Sequence, residues 1–140
     1  MSGNSLPHLE PYEIIFGAIG KPAEGYITVA DLQKKIPFEV KRIFWTYYTP
    51  QDITRGRHAH YQTEMVLVAV SGPILLHTEP ANGNNDLFIL DSPQTGVYIP
   101  PMCWHVMEYS HSAVQVVLAS TTYQPEDYIR DYELFRQLGR

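Results

Sequence analysis

Cysteine is nearly absent from this chain: Cys103 is the only one in 140 residues, so no disulfide can form within it. A lone thiol fits a reducing compartment, and the cytoplasm is the expected setting. Positive charge is scarce too. Lys and Arg total 10 against 15 Asp and Glu, for a net charge of −5, and no basic stripe exists of the kind a phosphate-tracking nucleic-acid surface needs. No apolar run approaches the roughly 20 residues of a membrane-spanning helix. Met1 to His8 carries no positively charged leader region, so neither a membrane nor export is expected. Internal repeats, low-complexity tracts and linker-like charge runs are all missing. One domain over 1–140 is therefore expected.

The chain is rich in short apolar segments cut by turn residues. Its apolar fraction is 44%, and a domain of this length buries roughly 68–70% of its unfolded surface, so it can build a core without covalent staples. Tyr12–Ile19, Tyr26–Ala30, Val40–Tyr48, Glu64–Val70, Ile74–Thr78, Asp86–Leu90, Gly96–Ile99, Cys103–Tyr109 and Ala113–Ser120 each read as strands. Asn82-Gly83-Asn84-Asn85 marks a hairpin connection. Strands at such regular short spacing predict an all-β sandwich or barrel. Met65–Val70 and Val114–Leu118 are apolar on both faces, which predicts cover on the outside of the sheet as well. The tail differs: Pro125 with Glu126 and Asp127, followed by Ile129, Tyr132, Phe135 and Leu138 at spacings of three, predicts an amphipathic helix over 124–138. One helical turn is expected at Asp31–Lys35.

The chemistry lies in Arg55-Gly56-Arg57-His58-Ala59-His60-Tyr61-Gln62-Thr63-Glu64. Side chains of equal parity share a strand face, so His58, His60 and Glu64 can point into one cavity. His105 follows in a second block, Gly96 to His105, and the spacing of the two blocks is that of the two halves of a cupin motif. Two readings stand. His58, His60, Glu64 and His105 suit a divalent transition metal; alternatively, two histidines on one face can lift a carbon-bound proton and return it elsewhere without any ion. Arg55 and Arg57, with Lys41 and Arg42 nearby, suit a small anionic ligand such as a diphosphate. Tyr98 and Trp104 either stack on a ligand ring or fill core. Cys103 is read as packing, and His8, His77 and His111 as surface residues.

Beyond these motifs the chain resembles the nucleotide-sugar 3,4-ketoisomerases of the WxcM-like group in the RmlC-like cupin superfamily. Ile36 to Arg42 resembles the entry strand, Arg55 to His60 the Arg-Gly-x-His-Ala-His signature, Leu90 to His105 the second block, and Asp127 to Tyr132 the closing helix. The resemblance implies a cupin jelly-roll barrel over 25–122, preceded by an arm over 1–24 that is exchanged within a homodimer. It implies isomerisation of a dTDP-4-keto-6-deoxyhexose to its 3-keto isomer in deoxysugar and O-antigen biosynthesis, with no cofactor. His58 and His60 are then the expected catalytic pair, and Arg55, Arg57, Glu64, Tyr98, Trp104 and His105 the expected substrate contacts. Glu24 stands where the group often has an arginine, and Arg57 where an aromatic residue is common. A metal-dependent cupin enzyme and a non-catalytic nucleotide-sugar-binding protein are the alternatives.

Overall fold

The structure, a computed structural model, describes residues 10–139; His8 lies outside them. Its strands are β1 Tyr12–Ile15, β2 Ile19–Lys21, β3 Gly25–Ile27, β4 Arg42–Tyr47, β5 Thr54–His60, β6 Met65–Ser71, β7 Ile74–Pro80, β8 Asp86–Leu90, β9 Thr95–Ile99, β10 Cys103–Tyr109, β11 Val114–Ala119 and β12 Tyr128–Ile129, followed by the helix α1 Tyr132–Leu138. Two antiparallel five-stranded sheets face each other, in the orders β1-β9-β6-β11-β4 and β12-β5-β10-β7-β8, and β2-β3 forms a separate hairpin. This is the jelly-roll sandwich expected of a cupin, with β1 paired to β9 of the same chain.

Alternation in the strands decides what is buried. Met65, Leu67 and Ala69 of β6, Ile74 and Leu76 of β7, Val97 and Ile99 of β9, and Val117 of β11 fill the space between the sheets. Each fully buried Val, Leu, Ile or Met side chain among them contributes about 1.5–3 kcal/mol relative to exposure. Their neighbours in β6, β9 and β11 point the other way: Val66, Tyr98 and Leu118 pack with Ile14, Ile36, Phe38 and Val40 on the outer face of the first sheet. Residues 30–40 of the chain itself thus cover part of the outer face of these doubly apolar strands, while Val70 stays 47% exposed and Val68 and Val116 are only partly buried. The turn at Asp31–Lys35 is present, closed by bonds from Lys34 and Lys35 N–H to the Asp31 carbonyl.

Three expectations need correction. Tyr12–Ile19 is not one strand: β1 stops at Ile15, and Gly17 at φ +82° turns the chain into the exposed β2-β3 hairpin. The histidine run is a strand of its own, β5, which is absent from the nine expected strands. The helix expected over 124–138 begins only at Tyr132. Pro125–Asp127 make a single 3-10 turn, and Tyr128 and Ile129 then pair with His60 and Ala59 of β5. The reason is capping. Gln124 makes no side-chain cap bond, whereas Asp131 accepts from the Glu133 and Leu134 N–H groups and is the stronger helix start. Of the helix, Phe135 is buried, and it packs with Ile129 and Ala59.

Candidate active site

A β-bulge sets the site. In the pairing of β5 with β10, His58 lies opposite His105, Gly56 opposite Val106 and Arg55 opposite Met107, so Arg57 has no partner across the ladder. Gly56 and Arg57 take φ values of +87° and +56° in succession. The extra residue resets the inside-outside parity. Even-numbered His58 and His60 face the interior after the bulge, and odd-numbered Arg55, opposite the interior Met107, faces it before. Only glycine fits at 56: a Cβ there would stand 2.8 Å from the His105 carbonyl oxygen and 3.2 Å from Met107 Sδ.

Three imidazoles converge at this point. Ring centroids are 4.5 Å apart for His58 and His105, 4.9 Å for His58 and His60, and 6.1 Å for His60 and His105. One nitrogen from each lies within 4.8 Å of the others. In every ring Nδ1 is turned away to an acceptor: the Gly56 carbonyl at 2.9 Å for His58, the Cys103 carbonyl at 3.1 Å for His105, and Asp127 Oδ2 at 3.1 Å for His60. Carbonyl and carboxylate oxygens can only accept, so Nδ1 carries the proton and Nε2 is left as a lone-pair acceptor. Burial lowers the pKa of all three. For His60, burial and then the neighbouring His58 outweigh the pull of Asp127 and bring it to about 4. Burial also lowers His58 and, further still, His105. The cluster is therefore neutral near pH 7, with three basic nitrogens available.

The histidines line a cavity of about 270 Å³ between the sheets, together with Arg55, Tyr128 and Arg130, and with Thr46 and Gln115 on the opposite side. The volume lies just below the range of about 300–1,000 Å³ usual for small-molecule sites, enough for a single sugar ring rather than a whole nucleotide-sugar. Arg55 and Arg130 are exposed at its edge. Tyr128 packs its ring on His60 and His58, with centroids at 4.4 and 4.9 Å, and the Arg130 guanidinium lies 4.3 Å from the Tyr128 ring centroid.

Asp127, Tyr128 and Arg130 were missed from sequence because the segment reads as a helix. The available signal was the alternation of Tyr128 and Arg130 around the buried Ile129, just ahead of a good N-cap at Asp131. Asp127 is buried and holds four groups. Its Oδ1 accepts from Gln62 N–H at 2.8 Å, and its Oδ2 accepts from His60 Nδ1, Thr63 N–H and the Thr63 hydroxyl.

Four expected contacts lie elsewhere. Glu64 is not on the histidine face, because the turn after His60 carries the chain from one sheet to the other and the parity count does not survive it. Its carboxylate accepts the Tyr98 hydroxyl at 2.7 Å. Tyr98 is fully buried on the outer side of the first sheet, stacked on Tyr12 at 4.9 Å. Trp104 alternates outward from β10 and packs on Tyr132 and Phe135 of α1 at 5.1 and 5.6 Å. Arg57, the bulged residue, is exposed, does not line the cavity, and donates to the Thr54 hydroxyl. The four-ligand metal set thus loses Glu64, and a metal would be held by His58, His60 and His105 alone. Glu24 sits at the tip of the β2-β3 hairpin, paired with Lys21 at 3.7 Å. Cys103 is buried packing, its thiol pushed up to about 12 by burial. His77 and His111 are exposed, as expected; His77 pairs with Glu108 at 2.7 Å.

Comparison with known proteins identifies the family and the fold. The family model described as FdtA: WxcM-like, C-terminal, matches residues 13–140. A TDP-4-oxo-6-deoxy-alpha-D-glucose-3,4-oxoisomerase of Aneurinibacillus thermoaerophilus is 36% identical over 116 residues, covering 82% of this chain and 83% of that protein. Among solved structures, a 3,4-ketoisomerase from Helicobacter canadensis superposes with a TM-score of 0.87 at 34% identity, covering 94% of this chain and 98% of that one. The sugar 3,4-ketoisomerase QdtA from Thermoanaerobacterium thermosaccharolyticum, solved in complex with TDP, gives 0.86 at 30% identity over 92% and 93%. The chain belongs to the FdtA, WxcM-like C-terminal family of cupin-fold sugar isomerases.

Proposed function

We propose that this enzyme converts a TDP-4-keto-6-deoxyhexose into its 3-keto isomer inside the histidine cavity. The observation that carries the reading is the common orientation of His58, His60 and His105, each with Nδ1–H bound to the protein and a neutral, basic Nε2 left for a ligand. The C3 proton of a 4-ketosugar is acidified by the adjacent carbonyl. A neutral imidazole of the His58–His60 pair takes it to give an enediolate, the hydroxyl proton moves from O3 to O4, and the imidazolium returns its proton at C4. C3 is oxidised and C4 reduced within one molecule, so the balance closes without an outside oxidant or reductant. Positioned proton transfer of this kind is worth about 10²–10⁴ in rate. His105, as an acceptor, takes a sugar hydroxyl and fixes the ring.

The charge of the forming enediolate meets donors on the cavity wall. Gln115 uses Oε1 to accept the Tyr109 hydroxyl at 3.3 Å, which leaves its amide N–H groups as donors. Tyr128 offers its hydroxyl. Donors fixed before reaction favour the transition state over the ground state. At the edge, Arg55 and Arg130 clamp the diphosphate, since guanidinium groups match phosphate oxygens in bidentate pairs. The same three imidazoles, each braced at Nδ1, also fit a divalent metal, which when bound would polarise the vicinal sugar oxygens as a Lewis acid; that reading predicts about one metal per chain and activity lost to a chelator.

Two further points belong to the same proposal. The protein works as a homodimer through the outer face of its first sheet, where Ile43, Trp45 and Tyr47 of β4 are exposed. Phe16, Tyr26, Val68, Val116 and Leu118 line an apolar depression on the same side. The end of the 1–24 arm, β2 with Ile19 exposed, reaches toward the second copy together with its hairpin partner β3, whose Tyr26 and Ile27 are exposed as well. Among the described residues no helix is long and apolar enough to cross a membrane, and the single buried cysteine suits the cytoplasm.

His58→Asn and His60→Asn test the proton-transfer roles. Each is expected to lower kcat by about 10²-fold or more while leaving nucleotide-sugar affinity within about threefold, as for a group that acts in the transition state. Equal losses in kcat and affinity would count against them.

A further inference from the structure

We propose that Asp127 is a positioning residue, which holds His60 from the C-terminal segment so that Nε2 of this one ring is kept unprotonated and aimed at the substrate. The inference rests on the proton-transfer reading above and adds to it the residue that sets the state of the histidine.

The geometry distinguishes His60 from its two neighbours. His58 and His105 give their Nδ1–H groups to backbone carbonyls two residues away on their own strands, Gly56 and Cys103. Those acceptors come with the strand and need no further residue. His60 instead gives its Nδ1–H to a side chain 67 residues later in the sequence. Asp127 is itself fixed: it is 9% exposed, and it takes the Gln62 and Thr63 N–H groups and the Thr63 hydroxyl as well as His60. These donors set the carboxylate's position before any substrate arrives. The Tyr61 N–H also donates to the Asp127 carbonyl at 2.9 Å, and the Met102 N–H donates to the His60 carbonyl at 2.7 Å, so main chain and side chain are locked together around one ring.

The consequence is chemical. A carboxylate at this place cannot donate, so the ring must keep its proton on Nδ1. Removal of the carboxylate frees the ring to exchange to the Nε2–H tautomer, which presents a proton where the reaction needs a lone pair. Bracing residues behind a catalytic or ligating histidine typically matter by about 10–100-fold when removed. The buried carboxylate also stands where positive charge would form if His60 accepts the C3 proton. Tyr128 follows Asp127 directly and rests on both histidines, so one short segment sets the ring's state and covers it.

The test uses the full-length chain and two readouts. Nitrogen-15 NMR of the imidazoles in the wild-type protein at pH 7 is expected to show His60 with its proton on Nδ1, and Asp127→Ala is expected to give a mixture of tautomers. In the same variant kcat for 3-keto sugar formation is expected to fall about 10²-fold with KM changed by less than about threefold. Asp127→Asn, whose amide oxygen can still accept from His60, is expected to recover part of that loss. A folded Asp127→Ala protein with kcat within about threefold of wild type overturns the proposal, as does a wild-type His60 protonated on Nε2. Should Asp127→Ala fail to fold, the wild-type spectrum decides alone. If the wild type makes no 3-keto sugar while His60 still loses its Nδ1–H in Asp127→Ala, the ketoisomerase reading has failed and the positioning role stands.

Discussion

Gly56→Ala is the sharpest perturbation of the site, because the atom it adds meets only a backbone carbonyl and the Met107 thioether and removes no charged or titrating side chain. Two costs add. The backbone at 56 sits at φ +87°, and placing a Cβ in the left-handed region costs about 1–2 kcal/mol. That Cβ would also stand 2.8 Å from the His105 carbonyl oxygen, a backbone atom that can yield only by moving β10; overpacking of this kind costs about 1–3 kcal/mol. The sum is roughly 2–5 kcal/mol, a large part of the roughly 5–15 kcal/mol that holds a domain folded. Gly17 provides the control. It has φ +82° but nothing within 4 Å of its Cβ position, so Gly17→Ala carries the conformational cost alone. Urea titration of the two variants is expected to separate them by roughly 1 M in midpoint, given slopes of about 1–3 kcal/mol/M. The activity effect follows from the same displacement. His58 pairs with His105 across the bulge, and a shift of about 1 Å in a reacting group can cost about 10²-fold in rate. Gly56→Ala with the midpoint of Gly17→Ala and wild-type kcat would refute the argument that the bulge sets the site.

Two other outcomes follow from the same geometry. Arg55→Ala and Arg130→Ala are each expected to weaken TDP binding by about 10–100-fold, the loss of a charge-assisted contact worth roughly 1.5–3 kcal/mol, whereas Arg57→Ala stays within about threefold in a calorimetric titration; the reverse order would relocate the anion site to the bulge. Stability should fall in acid. His60 is lowered from 6.5 to about 4 by burial, and His58 and His105 are lowered for the same reason, so below pH 6.5 the unfolded chain takes up protons that the folded one refuses. The stabilisation is full above 6.5 and is lost down to about pH 4 for His60, a total of roughly 3 kcal/mol from that residue at about 1.4 kcal/mol per unit. Urea midpoints between pH 7 and 4 should show this slope and a shallower one in His60→Asn; a flat profile contradicts the buried neutral cluster.

What sequence could and could not reveal divides along physical lines. The strands from Met65 to Ala119 were legible because alternation of apolar residues directly reports a sandwich with a filled interior, and Asp86–Leu90 and Cys103–Tyr109 have the bounds expected. His58, His60 and His105 were legible because they lie on continuous stretches of strand where parity holds. Parity failed where the strand was interrupted. Glu64 lies beyond the turn from one sheet to the other, and Arg55 reaches the cavity only because the Gly56–Arg57 bulge adds a residue. Trp104 shows the opposite failure: its parity with Val106 and Glu108 already placed it outside, and the appeal of an aromatic residue beside His105 concealed that. Asp127, Tyr128 and Arg130 were hidden because their pairing with β5 is a contact across more than 60 residues, and local periodicity in the tail suggested a longer helix.

The central claim is tested most directly by proton NMR of the protein with TDP-4-keto-6-deoxyglucose in deuterated buffer, following C3 and C4. The account predicts formation of a 3-keto sugar, exchange of solvent deuterium at C3 and C4, and the same behaviour after chelator treatment. An unchanged sugar spectrum would contradict the proposed isomerisation, and turnover that appears only when a divalent metal is restored would move the chemistry from the free histidines to a metal they hold.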